Sequence, residues 1–430
     1  MNTSPARTAA FDVLLRIENE KSFSAALLPL YEESLSTADS SLCHAMTLGS
    51  LRRQVYLDRV IAQFARGKKL DPAVRVAIRM GLYQLFFLER IPDYSAINES
   101  VALVQRAKKT SAKGFVNAIL RRATREKLVF QYLDEAERIS VETSHPLWLV
   151  EKWIGEFGIE ETELLAAANN QIPKPAFRLT RSFEDIDLVV KSNWRRSEFV
   201  DDCFTVEKSD VELRELEEDG AIYFQDEASQ MAARAVEIPA GGLFLDVCAA
   251  PGGKTGLIAQ RFAPNIKLAA AGDLHWPRVE YLRDNCARQG VDFVNIVQYN
   301  ATAPLPFEDD VFDVVFVDAP CSGTGTIRHN PEIRYFLTAD DFSELSVKQR
   351  SILKNASKLV KRGGSLVYST CSLEKEENEA VSNDFLDSDP GFTLSPPNVV
   401  ERYRTPEGFA RTWPHRDGMD GFFIAELRRN

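Results

Sequence analysis

From about residue 240 the chain alternates short apolar runs with helical stretches. The runs are Leu243–Val247, Lys267–Gly272 ending in Asp273, Phe293–Val297, Asp313–Val317 ending in Asp318, Ser365–Ser369 and a late Phe422–Leu427. Between them, Thr255–Phe262, Val279–Gln289 and Leu345–Val360 carry apolar residues at helical spacing, the last closed by Gly363-Gly364. Strands that alternate with helices must be covered on both faces, so this rhythm predicts a doubly wound parallel sheet. In such a sheet ligands bind beyond the carboxyl ends of the strands. The strand ends are therefore where chemistry is expected.

The first 140 residues read differently. Apolar residues recur at helical spacing over Thr8–Ile17, Ala45–Phe64, Val74–Leu88 and Ile97–Ala107. Ser4-Pro5 and Asp71-Pro72 have the form of helix starts, with a capping side chain before a first-turn proline. Residues 140–235 mix a helical pattern after His145-Pro146 with an alternating Ala176–Thr180. The expected layout is an all-α domain over 1–140, a small α+β connector over 141–235 and an α/β domain over 236–430.

The net charge of −11 conceals a strong asymmetry. Residues 51–130 hold 17 Lys/Arg against 6 Asp/Glu, leaving −22 for the rest. A basic block in an acidic chain is a candidate phosphate-binding surface, although a solvated helical face has the same composition. No apolar run approaches the roughly 20 residues that span a bilayer. The start of the chain lacks the apolar core of a signal peptide. A soluble cytoplasmic protein without membrane partners is expected, and nothing suggests an obligate oligomer. The six cysteines are widely spaced and none form CxxC, which disfavours a disulfide framework or a zinc site. No metal is expected.

Four segments fall at strand ends. Asp246-Val247-Cys248-Ala249-Ala250-Pro251-Gly252-Gly253-Lys254-Thr255 follows the first strand and opens a helix. Its small residues permit close approach to the backbone, and helix N-terminal amides receive anionic groups. It has neither GxGxxG nor Walker A spacing, so NAD and ATP are disfavoured. Asp273 ends the second strand, where a carboxylate can accept hydrogen bonds from both hydroxyls of a ribose or can cap a helix. Asp318-Ala319-Pro320-Cys321-Ser322 ends the fourth strand and Tyr368-Ser369-Thr370-Cys371-Ser372 the fifth. Free cysteines are usually small core hydrophobes, which suits Cys43, Cys203 and Cys286. Cys321 and Cys371 lie instead among hydroxyl and glycine residues at the active edge.

Two such thiols beside a nucleoside-bearing cofactor point to covalent catalysis on an electrophilic ring. Carbon 5 of cytosine is a poor nucleophile until a thiolate adds to carbon 6 and turns the ring into an enamine. Loss of the carbon 5 proton and expulsion of the sulfur then restore the ring. Because a free thiol has a pKa of about 8.5, the site must lower that value or remove the proton on attack. The helix after the fourth strand or Lys254 could supply positive potential.

Together these segments resemble the RsmB (Sun/Fmu) family of bacterial rRNA (cytosine-5)-methyltransferases. The resemblance covers essentially the whole chain, including the closing Trp413-Pro414-His415-Arg416-Asp417-Gly418-Met419-Asp420-Gly421-Phe422-Phe423. It implies an N-terminal NusB-like RNA-binding domain and a C-terminal Rossmann-like class I methyltransferase domain. It implies S-adenosylmethionine as donor, held by Cys248, Ala249, Ala250, Pro251, Gly252, Gly253, Lys254, Asp273, Asn300 and Asp318. Asn300 stands where the family usually has Asp. The resemblance makes Cys371 the nucleophile, Cys321 the residue that assists release, and Asp318 the contact to the cytosine's polar edge, with Lys254 positioning that network. Arg328, His329 and Arg334 follow the Pro-Cys motif and could contact RNA phosphates or form a solvated basic loop. The implied activity is methylation of a cytosine in small-subunit (16S) rRNA by a monomer. The alternatives are the same chemistry on tRNA, or an RNA-binding ribosome-assembly factor without catalysis.

Overall fold

A computed structural model describes residues 3–65, 67–180, 193–209 and 211–430. Arg66, inside the basic stretch, and residues 181–192, inside the expected connector, lie outside the described residues. The chain forms two compact units. One comprises residues 1–171 with 327–337, and the other residues 172–326 with 338–430.

The first unit is helical. Its opening helix, Pro5–Glu20, begins where the Ser4 hydroxyl accepts the Arg7 N–H. Asp71 caps Pro72–Phe87 in the same way. The stripe expected over Ala45–Phe64 is two helices, Thr37–Arg52 and Gln54–Ala65, because the backbone leaves helical angles at Arg53. Phe11, Leu14, Met46, Leu57, Ile78, Leu103 and Leu120 share one buried core. Residues 327–337 are folded into this unit. The Ser24 N–H donates to Glu332 Oε1 at 2.6 Å, the Tyr335 hydroxyl donates to the Leu51 and Ser144 carbonyls, and Phe336 packs on the core. Residues 141–171 group with these helices.

The second unit carries two sheets. A small antiparallel one contains β1 (Ala176–Leu179), β2 (Arg195–Arg196), β3 (Cys203–Thr205) and β4 (Ile222–Phe224) in the order β2-β3-β1-β4. The large one contains β5 (Gly242–Asp246), β6 (Ile266–Asp273), β7 (Asn295–Gln298), β8 (Phe312–Asp318), β9 (Val360–Thr370), β10 (Phe392–Ser395), β11 (Ala410–Thr412) and β12 (Phe422–Arg429). Its order is β10-β12-β9-β8-β5-β6-β7, with β11 on β12. β5 through β9 pair in parallel, as the alternating pattern predicts. β12 runs antiparallel to β9 and β10, so the sheet is mixed at that edge. The helix Glu379–Ser388 carries the chain from β9 to β10, and β12 then enters between those two strands after pairing with β11 as a hairpin.

Two local expectations also shift. The long amphipathic helix is Ala339–Ser357, started early by a capping box between Thr338 and Asp341. Gly363-Gly364 closes no helix but sits inside β9, where Gly363 (φ +77°) takes up a register shift against β8. Phe244, Val315, Phe316, Leu366 and Tyr368 are fully or almost fully buried, as both faces of a covered parallel sheet require.

Candidate active site

β5, β6, β8 and β9 lie side by side and end at the same edge, so their carboxyl ends face one cleft. The cleft has a volume of about 230 Å³, and its walls include Cys248, Asp273, Asn300, Asp318, Cys321 and Cys371. The sequence spreads these residues over more than a hundred positions. The sheet register brings them together.

The turn after β5 is shaped from behind. Ala250-Pro251 is a cis peptide, and Gly252 has φ +104°, a left-handed conformation that favours glycine. Arg278 donates to the Ala250 carbonyl at 2.8 Å and Asn285 to the Pro251 carbonyl at 2.7 Å. Arg178, fully buried on β1, donates to the Gly253 carbonyl at 3.0 Å. Val247, Cys248 and Ala250 of this turn reach the cleft wall. Ala249, Pro251, Gly252 and Gly253 build the turn without lining the cleft. Burial pushes the Cys248 thiol well above its ordinary range, reinforced by Asp246 and Asp273. That thiol is a packing group, not a nucleophile.

Asp273 does two jobs at once. Its Oδ1 accepts the Leu274 N–H at 2.8 Å, and its Oδ2 lies 3.3 Å from Arg278. Asn300 has its Oδ1 engaged by the Thr302 N–H and hydroxyl at 3.0 and 2.8 Å. Its amide –NH₂ is thereby left as the group a ligand can use. Carboxylate, amide donor and the apolar Val247, Leu274 and Ile352 in one cleft fit a nucleoside with an extended polar arm.

On the other side of the cleft, Asp318 is held at both oxygens. Lys254 donates to Oδ2 at 2.8 Å and the Ser369 hydroxyl to Oδ1 at 2.8 Å. Burial alone would lower the Lys254 pKa, but the adjacent Asp318 charge and hydrogen bond raise it above the ordinary lysine value. Lys254 therefore stays an ammonium, and it also faces the Phe422 ring at 5.0 Å. Cys321 and Cys371 lie with sulfurs 3.4 Å apart. The hydrogen bond to Cys371, then burial, then the charges of Cys371 and Glu377 push the Cys321 thiol well above its ordinary range.

Burial corrects two of the three expected phosphate contacts, Arg334 and Arg328, while His329 is half-buried. Arg334 is completely buried, and its guanidinium donates to the Ser144 carbonyl at 3.1 Å, the Asn169 carbonyl at 3.3 Å and Asn170 Oδ1 at 3.0 Å. Arg328 is buried too. A guanidinium enclosed by protein acceptors has no face for an RNA phosphate. Sequence reasoning also overlooked Arg178, Arg278, Ser369 and Glu377. Arg178 had a signal, a charge in the apolar half of an alternating strand. Glu377 had a weaker one, an acidic pair soon after the fifth strand.

Residues 234–428 match the family model described as 16S rRNA methyltransferase RsmB/F, and residues 4–125 match the NusB family. The chain is 32% identical to the probable ribosomal RNA small subunit methyltransferase B of Bacillus subtilis, over all of both chains. It is 32% identical to ribosomal RNA small subunit methyltransferase B of Pseudomonas putida, over 98% of each. Among solved structures it is similar to PH0851 (TM-score 0.84, 26% identity, all of both chains). A methyltransferase homologue from Pyrococcus horikoshii is similar over 70% of this chain and all of its own (TM-score 0.59, 27% identity).

Proposed function

Because the chain belongs to the ribosomal RNA small subunit methyltransferase B family, we propose that it methylates carbon 5 of a cytosine in small-subunit rRNA through a covalent adduct to Cys371. The donor is S-adenosylmethionine, which supplies an electrophilic methyl group. The observation that carries the reading is the pair of sulfurs 3.4 Å apart at the ends of β8 and β9, beside an aspartate fixed at both oxygens.

In this mechanism Cys371 sulfur bonds to carbon 6 of the cytosine, and the ring electrons move to carbon 5. Asp318 holds the polar edge of the base by accepting from its amino group, with Lys254 and Ser369 fixing its orientation. After methylation, carbon 5 loses its proton to a base, the electron pair re-forms the ring double bond, and the bond from carbon 6 to Cys371 breaks. Cys321 assists this elimination by proton transfer. Cys248, Ala250, Asp273 and Asn300 line the donor's side of the cleft, Asp273 toward a ribose. Ala249, Pro251, Gly252 and Gly253 set the shape of that side. The helical unit brings RNA through its basic stretch. The protein acts in the cytoplasm, as a monomer and without a metal. No helix among the described residues is long and apolar enough to cross a membrane.

The test is incubation with unmodified small-subunit rRNA and methyl-labelled S-adenosylmethionine, followed by nuclease digestion and mass spectrometry. Label at carbon 5 of one cytosine is expected, lost in Cys371→Ala. Cys321→Ala is expected to accumulate a protein–RNA adduct. An adduct in Cys371→Ala instead would reverse the two roles. Label on tRNA alone would move the substrate, and bound donor with no label on any RNA would overturn the catalytic reading.

A further inference from the structure

The two cysteines belong to different strand-end loops, which the pairing of β8 with β9 brings side by side. Side chains tie the loops together further. Glu377 is completely buried in the short helical turn after β9. Its Oε1 accepts the Ser322 N–H at 2.9 Å and the Gln349 side-chain amide at 2.9 Å. Its Oε2 accepts the hydroxyls of Ser322 and Ser372. Ser322 immediately follows Cys321, and Ser372 immediately follows Cys371. One carboxyl group therefore bridges both cysteine loops.

The next residue completes the grip. Asn378, also completely buried, accepts the Thr370 hydroxyl at its Oδ1 and donates through Nδ2 to the Ser372 carbonyl at 2.8 Å. Thr370 and Ser372 flank Cys371 on either side. Gln349 donates as well to the Pro320 carbonyl at 3.0 Å, just before Cys321. The loops also meet directly, the Gly325 N–H donating to the Cys371 carbonyl at 2.9 Å. A Cβ on Gly325 would come within 2.1 Å of the Gly421 carbonyl oxygen, so the backbones approach as closely as glycine allows.

We propose that Glu377, supported by Asn378 and Gln349, is a positioning residue that clamps the Cys321 and Cys371 loops together and so sets the distance between the two thiols. A carboxyl group suits the task because it accepts from several donors at once, whereas an amide in its place would turn one edge into a donor facing donors. The clamp does not touch the substrate. Its role in turnover rests on the covalent mechanism proposed above, but the geometry it sets can be measured without any RNA.

The experiment uses the full chain and diamide, an azo oxidant that takes two hydrogens from two neighbouring thiols and leaves a disulfide and a hydrazine. In the unsubstituted protein, sulfurs 3.4 Å apart should close rapidly to a Cys321–Cys371 disulfide, read by peptide mass spectrometry. Glu377→Gln should slow that closure by about 10- to 100-fold, the size expected for losing charge-assisted buried hydrogen bonds. It should lower kcat for methyl transfer by a similar factor and leave KM for RNA within about 2-fold. Ser322→Ala removes one hydroxyl from the bridge, leaves the backbone N–H on Glu377, and guards against misfolding. It should give an intermediate slowing, with S-adenosylmethionine binding retained in both variants. Disulfide closure at the unsubstituted rate in a folded Glu377→Gln would overturn the clamp, whatever happens to kcat. Slowed closure in a protein that methylates no cytosine would uphold the clamp and refute the proposed chemistry instead.

Discussion

The Lys254–Asp318 pair gives the sharpest quantitative expectation. Lys254→Met keeps the apolar stem and removes the ammonium that sits 2.8 Å from Asp318 Oδ2. At an effective dielectric near 20, unit charges at that distance attract by about 6 kcal/mol, much of it offset by desolvation. Removing one member of a buried pair costs about 3–5 kcal/mol, because the other charge is left uncompensated. Asp318 retains 27% side-chain exposure and the Ser369 hydroxyl, so water and that bond recover part of the loss. A net cost of about 2–3 kcal/mol to the placement of the Asp318 carboxylate follows, which caps the loss in kcat/KM for methyl transfer at roughly 30- to 150-fold. The assay is a double-mutant cycle with Asp318→Asn, using S-adenosylmethionine binding to confirm folding. Asp318→Asn alone should be severe. Once it is in place, adding Lys254→Met should cost little, giving a coupling energy of about 2 kcal/mol. Additive losses, with coupling under about 0.5 kcal/mol, would refute the claim that Lys254 acts through Asp318.

Three further outcomes are expected. Arg334→Met should lower the stability of the chain by about 3 kcal/mol, because several buried acceptors lose their donor together. Urea unfolding followed by the fluorescence of the tryptophans would read it as a lower midpoint at unchanged slope. Burial raises Asp246 to about 7, against an ordinary value of 3.8. A raised carboxyl binds its proton more tightly when folded, so its stabilising contribution is complete below about pH 4 and lost as pH rises through 7. Asp246→Asn should therefore gain stability relative to the parent between pH 5 and pH 8, and a pH-independent difference in urea midpoint would refute this. Replacing Arg121, Arg122 and Arg125 together with Ala should weaken RNA binding and flatten the plot of log affinity against log salt by up to about 3. Arg122 already pairs with Glu126 at 2.6 Å, so the smaller value of about 2 is expected if it stays paired.

Features carried by contiguous residues were legible in the sequence. The five parallel strands follow from apolar runs that end on Asp or on small polar residues, and the structure places their ends at one cleft. Ser4-Pro5 and Asp71-Pro72 announce their helices because the cap and the fixed proline φ lie in adjacent positions. What failed depends on distant partners. A late apolar strand looks the same whether it pairs parallel or antiparallel, and only the hairpin with β11 and the insertion between β9 and β10 set the direction of β12. Gly363-Gly364 reads as a helix stop, yet a left-handed glycine serves a strand bulge equally well. Arg334 reads as a surface cation until residues 327–337 are seen folded among helices that precede them by about 190 positions.

The cysteine pair shows why the site needed coordinates as well as motifs. In the sequence, Cys321 and Cys371 are equivalent: each follows a strand and precedes a serine. In the fold they differ. Cys321, half-buried like Cys371, is hydrogen-bonded to Cys371 and close to the Glu377 charge, and both favour its protonated form. A negative group that ties the loops together also biases one of the thiols against ionisation, so geometry and protonation come from the same side chain. If that is so, substitutions at Glu377 should alter the reactivity of Cys321 as well as the distance. Iodoacetamide labelling across pH should find Cys321 alkylated at lower pH in Glu377→Gln than in the parent. A Cys321 profile unchanged by that substitution would refute a contribution from the Glu377 charge.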